Sequence, residues 1–202
     1  MLTTLARFFS TLSFVILILI VPSGALAAVR PIDALRMPDE AVVSRGEFVR
    51  AAVKVLGVDI VESVALPYQR QVPPALVPYI KTAYRGGALE QFGGDLLLSR
   101  PIQRGEALVI IKELLNLQPE KDGAVFRDVS EGSALSAAVN LAVERRWLEP
   151  LLENVFGAKR LLTARDARLL LGRVTNQSVQ EGTEAEEMKQ RITVRVVPPE
   201  AQ

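Results

Sequence analysis

Cysteine and histidine are both absent from this 202-residue sequence. Their absence excludes disulfide bonds, thiolate nucleophiles, Ser-His-Asp and Cys-His catalysis, and metal sites with imidazole or thiolate ligands. Carboxylates, lysines, hydroxyls and tyrosines remain, but none of them forms a recognisable catalytic motif. We therefore expect no enzymatic activity, no catalytic residue, no bound metal and no cofactor.

An excess of charge of either sign is also lacking. The sequence has 24 Lys and Arg against 23 Asp and Glu, for a formal net charge of +1. The two signs are interleaved, without the basic blocks that release counterions from a phosphate backbone, so we expect no nucleic acid partner. Hydrophobic residues make up 49% of the sequence, which is enough for a packed core.

The first residues resemble a secretory signal peptide. Arg7 is the only charged residue within 1–27, and an apolar run over 14–21 ends at Pro22. Ala25 and Ala27 provide the small residues required before a cleavage site after Ala27. We predict export to the cell surface, cell wall or periplasm; the alternative is an uncleaved N-terminal anchor.

An internal repeat organises the rest of the chain. Val43–Val58 aligns with Ile102–Leu117 without a gap, and a third copy lies at Leu162–Val174, which gives a period of about sixty residues. In each copy apolar residues recur at helical spacing behind a capping pair, which predicts an amphipathic helix. Ala75–Leu89 and Ala134–Leu148 form a second repeated helical pattern between the copies.

The sequence thus predicts an all-α protein of three helix-loop-helix units. We place the units at about 43–66, 67–117 and 126–174, after an N-terminal arm at 28–42. The polar and acidic tail at 175–202 contains one alternating β-branched segment, 192–197, which could form a short strand.

These repeats resemble the S-layer homology (SLH) domain, in which one helix of each unit opens on a Thr-Arg-Ala-Glu-like motif. The resemblance covers roughly Val43 to Val174. The matching segments are Ser44-Arg45-Gly46-Glu47, Gln103-Arg104-Gly105-Glu106, Thr163-Ala164-Arg165-Asp166 and the Phe-x-Asp-Val segment Phe126-Arg127-Asp128-Val129, with Tyr68 and Val72 as a looser version of the last.

The resemblance implies a pseudo-threefold helical domain that attaches non-covalently to cell-wall polysaccharide or peptidoglycan. It also implies that Arg45 and Arg104 are ligand-binding residues that hold an anionic sugar substituent through their planar guanidinium groups. The third copy has Ala164 at this position, with Arg165 displaced by one residue.

Other interpretations of the same residues remain open. Arg45 and Arg104 could be exposed first-turn residues or ion-pair partners between repeats. We expect the acidic residues of the motif to be helix caps, and Trp147 to be a core residue rather than a platform for a sugar. Of Tyr79 and Tyr84, five residues apart on one helix, we expect one to be exposed.

Two alternative functions follow. The family's Gly-aromatic-x-Asp-Gly-x-Phe-x-Pro turn is reduced here to Gly94 and Phe156, which favours an envelope scaffold or adaptor that has lost the sugar site and binds another envelope protein. A wall-active glycoside hydrolase would need two carboxylates in one cleft. The candidates for that pair are Glu90, Asp95, Glu149 and Glu153, and their spacing selects no pair.

Overall fold

The computed structural model describes residues 30–67, 71–120, 123 and 125–177. The predicted signal peptide at 1–27 lies outside the described residues, as do the tail from 178 onward and its possible strand at 192–197.

The described residues contain six α-helices and no β-strand longer than an isolated bridge. The helices are α1 Pro31–Ala34, α2 Arg45–Val55, α3 Val77–Arg85, α4 Arg104–Leu114, α5 Ala134–Glu144 and α6 at 164–177. Single 3-10 turns occur at Pro74–Leu76 and Glu90–Phe92. The all-α prediction is confirmed for this part of the chain, where none of the helices has the length and apolar character needed to cross a membrane.

The motif side chains cap the three helices that they precede. At α2, the Ser44 hydroxyl accepts from the Glu47 N–H at 3.3 Å, and the Glu47 carboxylate accepts from the Ser44 N–H at the same distance. At α4, Glu106 accepts from the Gln103 N–H at 3.0 Å. At α6, the Thr163 hydroxyl accepts from the N–H of Asp166 at 3.2 Å. These bonds satisfy N–H groups that a helix leaves unpaired at its start, as the sequence predicts.

Four helices end in the same way, on a residue with positive φ. Gly57 follows α2 with φ of 65° and Gly87 follows α3 with φ of 75°, while Asn116 and Arg146 take φ of 49° and 53° after α4 and α5. In each case the next N–H bonds to a carbonyl five residues back, which is the Schellman arrangement. The predicted end of α2 at Gly57 is therefore confirmed.

Three extended segments, one before each of α2, α4 and α6, form a closed ring of backbone hydrogen bonds. The N–H of Val43 donates to the carbonyl of Leu162 at 3.0 Å, Leu162 to Ile102 at 3.0 Å, and Ile102 to Val43 at 2.9 Å. All three side chains are buried. Since each segment pairs with both others, the ring holds the starts of the three motif helices together.

A second set of bonds fixes the first residue of each of these helices. The N–H of Arg45 donates to the carbonyl of Arg100 at 2.9 Å, and the N–H of Arg104 donates to that of Arg160 at 2.8 Å. The third bond, from Ala164 to Ala41 at 2.8 Å, uses the N-terminal arm. The arm at 28–42 is thus part of the folded body in its described residues, and the Arg168 guanidinium holds it further by donating to the carbonyls of Leu35 and Met37.

One hydrophobic core joins these elements. Its largest fully buried side chains include Phe48 of α2, Ile110 of α4 and Trp147 after α5. Trp147 is 1% exposed and donates its indole N–H to Gln177 at 2.6 Å, so the prediction that it is a core residue is confirmed. Tyr84 is exposed whereas Tyr79 is partly buried, which confirms the prediction for that pair.

Candidate functional site

Arg45, the first residue of α2, is buried and fully engaged by its neighbours. Its Nη2 lies 2.5 Å from Oε1 of Glu106 on α4, and its Nε donates to Oε2 of the same carboxylate at 3.3 Å. The guanidinium carbon lies 4.1 Å from the ring centroid of Phe92, and Nη1 donates to the carbonyl of Leu96 at 3.4 Å. This is a two-point Arg–carboxylate pair stacked on an aromatic ring.

Arg104, the first residue of α4, has the same surroundings except for the carboxylate. Its side chain is 9% exposed, its guanidinium carbon lies 4.7 Å from the ring centroid of Phe156, and its Nη2 donates to the carbonyl of Glu149. Its Nε has no hydrogen-bond partner among the described residues. A buried guanidinium N–H without an acceptor costs free energy, so Arg104 is incompletely satisfied within the described residues.

The difference between the two arginines comes from one residue. Asp166 occupies the third-motif position that Glu106 occupies in the second, and its side chain is one methylene shorter. No ion pair joins it to Arg104 among the described residues. Burial and the nearby Arg160 lower the pKa of Arg104, whereas the charges of Asp166 and Asp128 act in the opposite direction. Asp166 is therefore close enough to influence Arg104 electrostatically without pairing with it.

The two predicted ligand-binding residues, Arg45 and Arg104, thus occupy equivalent positions but differ in their hydrogen-bond partners. Both are buried, so the interpretation of either as an exposed first-turn residue is wrong. Arg45 forms an ion pair with Glu106 of the second motif, so the interpretation of Arg45 as an ion-pair partner between repeats is confirmed. In the third motif, Ala164 is buried and Arg165 is exposed, because a shift of one residue rotates a side chain about 100° around a helix.

Sequence reasoning missed Phe92 and the role of Asp128. Asp128 accepts hydrogen bonds at 2.8 Å from the N–H groups of Phe156, Gly157 and Ala158. Burial raises the pKa of Asp128, but these three donors together with the backbone N–H of Asp128 itself outweigh it and hold the pKa below its ordinary value. The carboxylate thereby fixes the loop that carries Phe156 under Arg104. The Phe-x-Asp-Val match marked this residue, although it did not indicate the contact.

The four acidic residues considered for glycoside hydrolysis, Glu90, Asp95, Glu149 and Glu153, all lie exposed. Of these, Asp95 accepts from the N–H of Leu97 at 3.0 Å, and Glu149 contributes its backbone carbonyl to Arg104. A search of the described residues finds no group of three or more acidic side chains that could hold a metal ion.

No protein-family model matches the chain, and no curated protein is found to be similar to it.

Proposed function

We propose that this chain is an exported cell-envelope protein that binds an acidic cell-wall polysaccharide or peptidoglycan through SLH-like repeats, with Arg104 as the residue that contacts the anionic group. The ring of hydrogen bonds among the segments around Val43, Ile102 and Leu162 supports the pseudo-threefold packing of three such repeats, because each segment makes the same contact with the next. The resemblance of residues 1–27 to a secretory signal peptide supports export.

The observation that carries the proposal is the Nε of Arg104, which has no hydrogen-bond partner in the described part of the chain. The guanidinium is buried, stacked on Phe156 and held by one carbonyl, so its plane is already oriented. At the equivalent position Arg45 is neutralised by Glu106. A carboxylate or ketal acid of a bound polymer would supply to Arg104 the acceptor that Glu106 supplies to Arg45, through charge-assisted hydrogen bonds.

A second candidate function is an envelope scaffold without a sugar site, and the Arg45–Glu106 pair favours it. This pair fills one of the two expected anion positions with a side chain of the protein itself. If Arg104 also serves only to pack the units together, the domain would fold and yet ignore the polymer.

The main test lengthens the side chain of residue 166. Asp166→Glu adds the methylene that lets a carboxylate reach Arg104 from the position that Glu106 occupies relative to Arg45. We expect this variant and Arg104→Gln to lose co-sedimentation with purified wall sacculi carrying their native polymers. The expected loss is at least about tenfold in affinity, since a hydrogen bond to a charged group contributes about 1.5–3 kcal/mol.

Arg165→Gln is the matched control, because it removes the same charge from an exposed residue two positions after Thr163. It should sediment like the wild type, and circular dichroism should give the same helix content for all four proteins. Failure of the folded wild type to sediment would overturn the proposal and favour the scaffold. Binding that survives both Arg104→Gln and Asp166→Glu would exclude Arg104 as the contact.

A further inference from the structure

Two loops of this protein follow the same backbone path. The 96–98 loop precedes α4 and the 156–158 loop precedes α6. The carbonyl of Leu98 accepts from Gly46 and the carbonyl of Ala158 from Gly105, both at 2.9 Å. The central residues, Leu97 and Gly157, both have positive φ, at 42° and 80°.

One of these loops binds a carboxylate. The N–H groups of Phe156, Gly157 and Ala158 all donate to Asp128 at 2.8 Å. Successive N–H groups that converge in this way form an anion-binding concavity. The carboxylate enters from a Phe-x-Asp-Val segment whose Phe126 and Val129 are buried on either side of it.

Within the described ranges, no carboxylate from a Phe-x-Asp-Val segment enters the 96–98 loop. Gln71 precedes the buried Val72 as Asp128 precedes the buried Val129, so a neutral and exposed side chain stands at the acidic position. The N–H of Leu97 donates to Asp95 at 3.0 Å. No acceptor for the N–H of Leu96 or of Leu98 is found among the described residues.

A cavity of about 220 Å³ lies at this place, lined by Gln71, Val72, Pro73 and residues 95–99. Leu97 keeps a positive φ there although leucine, unlike the glycine at 157, is strained in that conformation. Strained backbone persists where the surroundings or a function require it. The cavity is therefore lined by Val72, Leu96 and Leu98, and the N–H groups of the last two have no acceptor in the described part of the chain.

We propose that this cavity receives the carboxylate of an acidic peptide segment from another protein, bound as Asp128 is bound in the 156–158 loop. The favoured segment is an aspartate with a Phe two residues before it and a Val directly after it, because that is the occupant of the equivalent loop. Asp95 competes with it, since it occupies the Leu97 N–H and adds a like charge beside the cavity. Arg45 touches this loop only at the carbonyl of Leu96, and Arg104 lies at the other loop against Phe156, so the site is separate from the proposed polymer contact at Arg104.

The probe for this site is a peptide copied from another part of the same sequence. A capped peptide with the sequence of residues 125–130 is titrated into the ¹⁵N-labelled protein and followed by NMR, beside the same peptide with Asn in place of its Asp. We expect the amide resonances of Leu96 and Leu98 to move downfield with the Asp peptide alone. Equal shifts with both peptides, or no shift at millimolar peptide, would overturn the proposal.

Two variants sharpen the test. Gln71→Glu places an internal carboxylate beside the loop and should weaken peptide binding about tenfold or more, whereas Asp95→Ala removes the competitor and should strengthen it. Unchanged affinity in both variants would refute the assigned site. Arg104→Gln should bind the peptide like the wild type, so failure of the polymer-binding proposal and failure of this one are distinguishable.

Discussion

Replacing Asp128 by asparagine tests whether one carboxylate holds the loop under Arg104. Asp128 accepts three hydrogen bonds at 2.8 Å, and hydrogen bonds to a charged group contribute about 1.5–3 kcal/mol each. The carboxamide of Asn keeps one acceptor oxygen but has no charge. We therefore expect Asp128→Asn to lower the free energy of unfolding by about 2–4 kcal/mol at pH 7, less than the simple sum of three bonds.

The pH dependence provides the sharper part of this prediction. The folded pKa of Asp128 lies below its ordinary value, so its contribution to stability is fully present above the unfolded pKa of about 3.9. That contribution disappears as the pH falls through the lower folded pKa. The stability difference between the wild type and Asp128→Asn should therefore be constant above about pH 5 and shrink as the solution is acidified further.

Urea unfolding followed by circular dichroism at pH 7, 4 and 2.5 measures this difference directly. Asp33→Asn is the control, because it removes a carboxylate whose ion pairs within the described residues are with exposed arginines, and it should change stability by less than about 1 kcal/mol. A difference between the wild type and Asp128→Asn that stays the same from pH 7 to pH 2.5 would show that the Asp128 charge is not what holds the loop.

Four further substitutions, in two pairs, test the helix ends and the ion pair. Arg146→Gly should raise the free energy of unfolding by about 0.5–1 kcal/mol, since glycine adopts the positive φ after α5 without strain, and Gly87→Ala at the equivalent end of α3 should lower it by a similar amount. Equal effects of the two changes in urea unfolding would contradict this. Glu106→Gln should lower the free energy of unfolding by about 2–3 kcal/mol, because Arg45 stays buried without its counter-charge. The control Glu90→Gln, at an exposed residue, should change that free energy by less than about 0.5 kcal/mol. An unchanged unfolding temperature for Glu106→Gln would show that the Arg45–Glu106 ion pair contributes little to stability.

The sequence by itself determined the starts of the three motif helices and the end of α2. Periodic apolar positions behind Ser44, Gln103 and Thr163 located α2, α4 and α6, because capping and amphipathicity are local properties that depend on residues three or four apart. Gly57 marked the end of α2, because a glycine cap at a helix end is also a local property. The burial of Trp147 was also predictable, since large aromatic residues are seldom exposed.

Only the tertiary structure decided how the motif residues pair. Arg45 and Glu106 are 61 residues apart, and the ring of hydrogen bonds that joins the segments before α2, α4 and α6 is what brings them together. The sequence shows the same Arg-Gly pair in two motifs, yet one guanidinium is satisfied, whereas the Nε of the other finds no partner among the residues that the structure describes. The physical reason is the length of one side chain across the interface: Glu106 reaches its arginine, and Asp166 is one methylene shorter.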